Sequence, residues 1–79
     1  MKKITIYSTD TCHFCNLAKD FFKANDLEYT EYNVGTNMEK RQEMMELTHQ
    51  LGVPVIRIDD TVFVGFQEQK VAETLGIAA

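Results

Sequence analysis

Two cysteines three residues apart, in Thr11-Cys12-His13-Phe14-Cys15, constrain this chain more than any other feature. They follow a short run of alternating apolar residues and open a stretch with helical spacing. On one turn of helix, positions i and i+3 share a face, so the two sulfurs can close a small ring. The thiolate is the reactive form of cysteine. A helix N-terminus, with its partial positive charge and free N–H groups, favours an anion. Cys12 at that end is the candidate attacking thiol, with its pKa lowered. Cys15, one turn further in and more shielded, is the candidate resolving thiol. The layout predicts thiol–disulfide exchange.

The rest of the chain must supply a rigid scaffold without a permanent staple, because both of its cysteines are committed to exchange. Its 79 residues suit a single domain over 1–79, near the lower limit for one hydrophobic core. An apolar content of 44%, with five Phe and three Tyr, lies well outside the disordered range. The net charge of −4 and the lack of a basic patch argue against a nucleic-acid partner. No apolar run approaches the roughly 18 residues of a membrane span. Met1-Lys2-Lys3-Ile4-Thr5-Ile6-Tyr7 has no apolar core of the kind a secretory signal carries. The expectation is an unprocessed, cytoplasmic chain, a compartment where an isolated C-x-x-C is catalytic or metal-binding more often than structural.

Read in order, Lys3 to Tyr7 alternates Ile4 and Ile6 with polar residues and predicts a strand. Ser8-Thr9-Asp10-Thr11 is a loop rich in N-cap residues. Phe14, Leu17, Ala18 and Phe21 then fall at i, i+3, i+4, i+7, the buried stripe of a helix ending at Asn25-Asp26. A second strand is expected over Glu28–Val34, closed by Gly35. Thr36-Asn37-Met38-Glu39 has the form of a capping box for a second helix. That helix would bury Met44, Leu47, Thr48 and Leu51, place most of the methionines in the core, stop at Gly52, and turn its charged side to solvent. Val53–Ile58 predicts a third strand, with the single proline at its first turn. Asp59-Asp60 makes a turn into a fourth strand, Thr61–Val64. Gly65-Phe66-Gln67 leads into a last helix burying Val71, Ala72 and Leu75, with Gly76 past its end. The order is β-α-β-α-β-β-α. The first two strands are expected parallel through their helical crossover, and the closing hairpin is necessarily antiparallel.

Three spaced motifs carry a family resemblance: Tyr7 to Cys15, Gly52-Val53-Pro54 before a strand, and Val64-Gly65-Phe66 before a helix. In this order, over nearly the whole length, they resemble the glutaredoxins. The resemblance implies an α/β, thioredoxin-like (glutaredoxin-type) fold with a four-stranded mixed sheet flanked by three helices. It implies that Cys12 attacks and Cys15 resolves, and that Val53-Pro54 is a cis peptide facing the disulfide, whose backbone pairs with the substrate. Disulfide-containing proteins would be the substrates of a monomer with no tightly bound cofactor. Glutathione or thioredoxin reductase would be the reductant, glutathione then serving as co-substrate. Two departures bear on that choice. Thr9 stands where glutathione-using members carry Lys or Arg, and Val64-Gly65-Phe66-Gln67-Glu68 replaces their Gly-Gly-x-Asp-Asp-like stretch. The Gly-Phe form resembles the glutaredoxin-like electron donors of ribonucleotide reductase, which thioredoxin reductase recycles. Those donors carry Gln just before the second cysteine, where this chain has Phe14.

Around the cysteines, Thr11, His13 and Lys19 are the candidate tuners of the thiolate. A helix terminus supplies about 0.3–1 kcal/mol to an anion when exposed and up to about 2 kcal/mol when partly buried. Further hydrogen bonds or a cation must add to that. Lys19 follows Cys15 by four residues on the same helical face and matches a lysine that many glutaredoxins have there; an ordinary surface lysine would look the same. A His13 imidazolium would favour the reduced thiolate form and make the disulfide more oxidising. Phe14, Val53, Pro54, Gly65 and Phe66 are the candidate substrate contacts. Phe14 could equally begin the core stripe, and Gly65 could simply make a turn. A structural zinc site fails on ligand count: adjacent Cys12 and His13 cannot easily serve one ion, and His49 is distant in sequence. The alternative of a different class is an iron–sulfur cluster-carrying or protein-docking module on the same fold.

Overall fold

The computed structural model describes residues 2–77. Its elements follow the expected order: β1 (Ile4–Ser8), α1 (His13–Ala24), β2 (Thr30–Asn33), α2 (Met38–Thr48), β3 (Val55–Ile58), β4 (Thr61–Val64) and α3 (Glu68–Leu75). The four strands form one mixed sheet in the order β2-β1-β3-β4. β1 pairs parallel with β2, Thr5 opposite Thr30 and Ser8 opposite Asn33. It pairs antiparallel with β3, Ile4 opposite Ile58 and Tyr7 opposite Val55, and β3 turns into β4 as an antiparallel hairpin.

β1 is interior to the sheet and covered on both faces, so all five of its residues are buried, the polar Thr5 and Ser8 included. Ile4 and Ile6 point to one side, where they pack with Ala18 and Phe22 of α1, Val71 of α3, and Ile56, Ile58 and Phe63. Tyr7 points to the other and packs with Val34, Met44 of α2 and Val55. The strict alternation of strand side chains thus divides the core into two.

Several expectations are corrected. α1 buries Cys15, Ala18 and Phe22, with Phe21 half-buried, whereas Phe14 is 58% and Leu17 40% exposed. The helix carries two overlapping apolar stripes, 14-17-21 and 15-18-22, about 100° apart. The sheet takes the second because Phe22 then stacks against Tyr29 at 5.3 Å while Phe21 still reaches Phe66 at 5.7 Å. The N-cap of α2 is Asn37, whose side chain accepts from the Lys40 N–H at 3.1 Å; Thr36 does not cap it. α2 stops at Thr48, with His49 as its left-handed C-cap at φ 57°, well before Gly52. Of its apolar residues only Met44 is buried, while Met38, Met45 and Leu47 are exposed, as is Leu51 beyond its end. The small cluster beneath α2 is already filled by Tyr7, Val34, Val55 and one methionine. Met1 lies outside the described residues.

β2 is shorter than expected, although Val34 just beyond it is buried and donates its N–H to the Ser8 carbonyl at 2.8 Å. β3 begins only after Pro54, which has no N–H for the ladder. Asp59 turns the hairpin at φ 51° and is tied to Lys3 by reciprocal bonds of 2.9 Å. α3 buries Val71 and Ala72, with Leu75 half-buried, and ends on Gly76 in the left-handed region. One pole of the sheet therefore gathers the exit of β1, the start of α1, the loop into β3 and the exit of β4.

Candidate active site

The exit of β1 delivers the chain into a tight turn, in which the Cys12 N–H reaches the Thr9 carbonyl at 3.4 Å. Cys12 is the N-cap of α1, in extended conformation at φ −85°, ψ 110°. Its Sγ accepts the Cys15 backbone N–H at 3.1 Å. A sulfur thus stands where a Ser, Thr, Asp or Asn oxygen usually caps a helix. The same N–H is available to a thiolate after reduction, and no acidic side chain in the first turn opposes the field of the helix.

Cys12 and Cys15 are joined as a disulfide, with Cα atoms 5.2 Å apart. Their accessibilities differ in the sense that exchange chemistry needs. Cys12 is half-buried at the pole, whereas Cys15 lies on the inward stripe of α1 and is fully buried.

Thr11 is exposed in the turn ahead of the cysteines. His13, also exposed, is the first residue of α1 and meets Phe14 edge-on with ring centroids 5.4 Å apart. Phe14 belongs to the surface and not to the core stripe. Lys19 is committed elsewhere: its Nζ lies 2.8 Å from Oε2 of Glu31, which also accepts the Ser8 hydroxyl at 2.7 Å. Lys19 first and Ser8 second hold the Glu31 carboxyl below its ordinary range. The lysine therefore ties α1 to β2 with its charge largely compensated.

The Val53-Pro54 peptide is cis. Pro54 is buried, and its carbonyl accepts the Gly65 N–H at 2.8 Å, which clips the β3 entry to the β4 exit. Val53 is half-buried against the Tyr7 cluster. Among the described residues, no protein group bonds the N–H or the carbonyl of Val53. Gly65 has φ 84°, and a Cβ there would meet no atom within 4 Å, so the glycine is required by its backbone conformation and not by lack of room. Phe66 is drawn partly into the core against Phe21, leaving only part of its ring outside.

Sequence reasoning passed over two features of this pole. A hydrogen-bond lattice joining the Thr48 and Gln50 side chains to the Gly52 backbone shapes the loop ahead of Val53; its only sequence trace is a glutamine two residues before a glycine. Behind the site, the buried Tyr7 hydroxyl donates to Glu43, which is also paired with Lys40. Among the described residues, no group of three or more His, Cys, Asp or Glu is arranged to hold a metal ion. A cleft of about 680 Å³ between Lys2, Asp26, Tyr29 and Leu75 opens at the opposite pole and contains neither cysteine.

A Cys-x-x-Cys disulfide at the head of the first helix and a cis-proline loop at the same end of a four-stranded mixed sheet define a thioredoxin-like protein. The glutaredoxin family model matches residues 4–63, and the chain belongs to that family. It is 41% identical over 68 residues to a glutaredoxin-like 8.6 kDa protein of the Clostridium pasteurianum rubredoxin operon, covering 86% of this chain and 91% of that one. It is 32% identical to glutaredoxin 3 of Escherichia coli, over 75% and 71% of the two chains. With the glutaredoxin-like protein NrdH of Lactococcus lactis it shares 27% identity over 89% and 96%. Among solved structures, a mutant of the thioredoxin-like protein BC3987 superposes with a TM-score of 0.90 at 32% identity, covering 99% of this chain and all of that one.

Proposed function

We propose that this chain is a dithiol–disulfide oxidoreductase that reduces protein or mixed disulfides through Cys12 and Cys15. The Cys12 thiolate attacks one sulfur of the substrate disulfide, forming a mixed disulfide and releasing the other sulfur as a thiolate. Cys15 gives up its proton and attacks Cys12 Sγ. The Cys12–Cys15 bond forms and the second substrate thiolate leaves, so two electrons pass from the dithiol to the substrate. A reductant then reopens the ring. The observation that carries this reading is the Cys15 N–H at 3.1 Å from Cys12 Sγ, with Cys15 itself fully buried one turn behind. An anion is stabilised at the accessible sulfur, and the second sulfur is withheld until the first has reacted. The unbonded backbone of Val53 supports it by offering a donor and an acceptor to an extended substrate segment.

Thioredoxin reductase is the proposed electron source. Thr9 offers no cation to a glutathione carboxylate, Lys19 is occupied by Glu31, and the Gly65-Phe66 turn lacks the acidic pair of glutathione-using members. The test is NADPH oxidation with a disulfide substrate, comparing thioredoxin reductase with glutathione plus glutathione reductase. Turnover with thioredoxin reductase is expected to be at least tenfold faster. Equal or faster turnover with glutathione refutes the donor assignment, and none with either, together with no mixed disulfide trapped by Cys15→Ser, refutes the exchange mechanism.

A further inference from the structure

We propose that Gln50 is a positioning residue for the substrate, holding in advance the backbone of the residue that a substrate strand pairs with. The inference rests on the exchange reading above and concerns how peptide substrates, as distinct from small disulfides, reach Cys12.

The segment between α2 and Val53 begins with a left-handed residue, His49, and ends with Gly52, the residue type that loses most entropy on being ordered. Nothing in the sheet ladder restrains it, because β3 starts only at Val55. The restraint comes from one side chain. Gln50 Oε1 accepts the Gly52 N–H at 2.6 Å, and Gln50 Nε2 donates to the Gly52 carbonyl at 3.2 Å. A primary amide offers one carbonyl and one N–H side by side, as a backbone residue of a neighbouring strand does. Gln50 therefore occupies both polar groups of Gly52 as a strand partner would.

The amide is anchored from behind. Its Nε2 also lies 3.2 Å from Thr48 Oγ1, and that hydroxyl lies 2.8 Å from the Met44 carbonyl and 3.1 Å from the Gln50 carbonyl. The clamp thus hangs from the last turn of α2. It also requires the glycine: a Cβ at position 52 would stand 2.6 Å from Gln50 Oε1. Immediately after the clamped residue comes Val53, with both backbone groups unbonded among the described residues, and then Pro54, whose carbonyl is fixed by Gly65. Val53 is thus held between two pinned neighbours. The ordering that a substrate strand would otherwise impose on binding is already present, which favours association without touching the sulfur chemistry.

The test uses pre-reduced protein in single turnover, so that no reductase enters the comparison. One probe is a disulfide-linked peptide with backbone on both sides of the sulfur. The other is 5,5′-dithiobis-(2-nitrobenzoate), which has no peptide backbone to pair. Gln50→Ala is expected to lower the peptide rate about fivefold through weaker binding, equivalent to about 1 kcal/mol, and to leave the rate with 5,5′-dithiobis-(2-nitrobenzoate) within twofold. Gly52→Ala, which displaces the amide, should reproduce the effect, and the double variant should be no worse than the worse single one. Gln50→Glu, keeping the acceptor for the Gly52 N–H and losing the donor, should fall between. The inference is overturned if Gln50→Ala slows both probes equally, as general loosening of the fold would. It is also overturned if the peptide rate is unchanged, or if the two single effects multiply in the double variant. Wild-type protein inert toward both probes would instead refute the exchange mechanism.

Discussion

Removing the Tyr7 hydroxyl should expose how the face of the sheet behind the cysteines is held. Tyr7 is 1% exposed, and its hydroxyl donates to Glu43, whose carboxylate also meets Lys40 Nζ at 3.2 and 3.5 Å. Hydrogen bonds to charged groups contribute about 1.5–3 kcal/mol. The Glu43 side chain is 42% exposed and retains Lys40, so water screens and partly replaces the loss. Tyr7→Phe is then expected to cost about 1 kcal/mol, lowering Tm by about 4–8 °C in a chain of this length. Glu43→Met should cost more, about 1–3 kcal/mol, because it strands a buried hydroxyl. In that background Tyr7→Phe should be neutral or stabilising, since it removes the orphaned group. The acid limb provides a second signature. The Tyr7 bond is the largest cause holding Glu43 below its ordinary 4.5. A carboxyl with a depressed folded pKa contributes stability that is present above the unfolded value and lost as pH falls through the folded one. Tyr7→Phe should therefore flatten the loss of stability below pH 4.5. Above pH 10 the sign is opposite. Burial first and Glu43 second push the Tyr7 phenol far above its ordinary value, so wild type loses stability there that the Phe variant does not. Urea denaturation of oxidised protein from pH 3 to 11 measures all of this. Equal costs for Tyr7→Phe with and without Glu43 would refute the reasoning.

Other substitutions test other parts of the structure. Phe22→Ala should cost about 3–5 kcal/mol, a large share of the stability of any small domain, while Phe14→Ala, on the stripe turned to solvent, should stay within about 0.5 kcal/mol; denaturant midpoints in urea distinguish them. Glu31→Gln should cost no more than about 1 kcal/mol, since the carboxylate is partly exposed. It should also remove stability that is present above pH 4.5 and lost on acidification, read as a shallower slope of stability against pH between 3 and 5. At Gly65 an alanine meets open space but must adopt φ 84°, so Gly65→Ala should cost about 1–2 kcal/mol and Gly65→Asn less, both measured by thermal unfolding.

The order of elements was legible because strand and helix periods are separated here by strong punctuation: Gly35, Asp59-Asp60 and Gly76 each stand where the chain turns. The cysteine pair was legible for a chemical reason, since two sulfurs one helical turn apart define a helix end and a ring together. What a helix buries was harder to read. The stripes 14-17-21 and 15-18-22 are both apolar as text, and only the side chains waiting on the sheet, Ile4 and Ile6 of β1 with Tyr29 just ahead of β2 and Phe66 past the β4 exit, decide between them. Lys19 illustrates the same limit in electrostatics. Its helical face is set by spacing from Cys15, but its partner Glu31 is found only once β1 and β2 are parallel with Ile6 opposite Glu31, bringing Ser8 and Lys19 to one carboxylate. The loop before Val53 was the least legible part. Periodicity reports what apolar side chains do, and Gln50 acts there by imitating a backbone, satisfying Gly52 from two residues away. This pole therefore divides into one part written in rare residues at fixed spacing and another built from a side-chain amide and hydroxyl whose targets are backbone groups. The first part can be read from the spacing of Cys12 and Cys15 alone, whereas the second emerges only with the backbone it is built on.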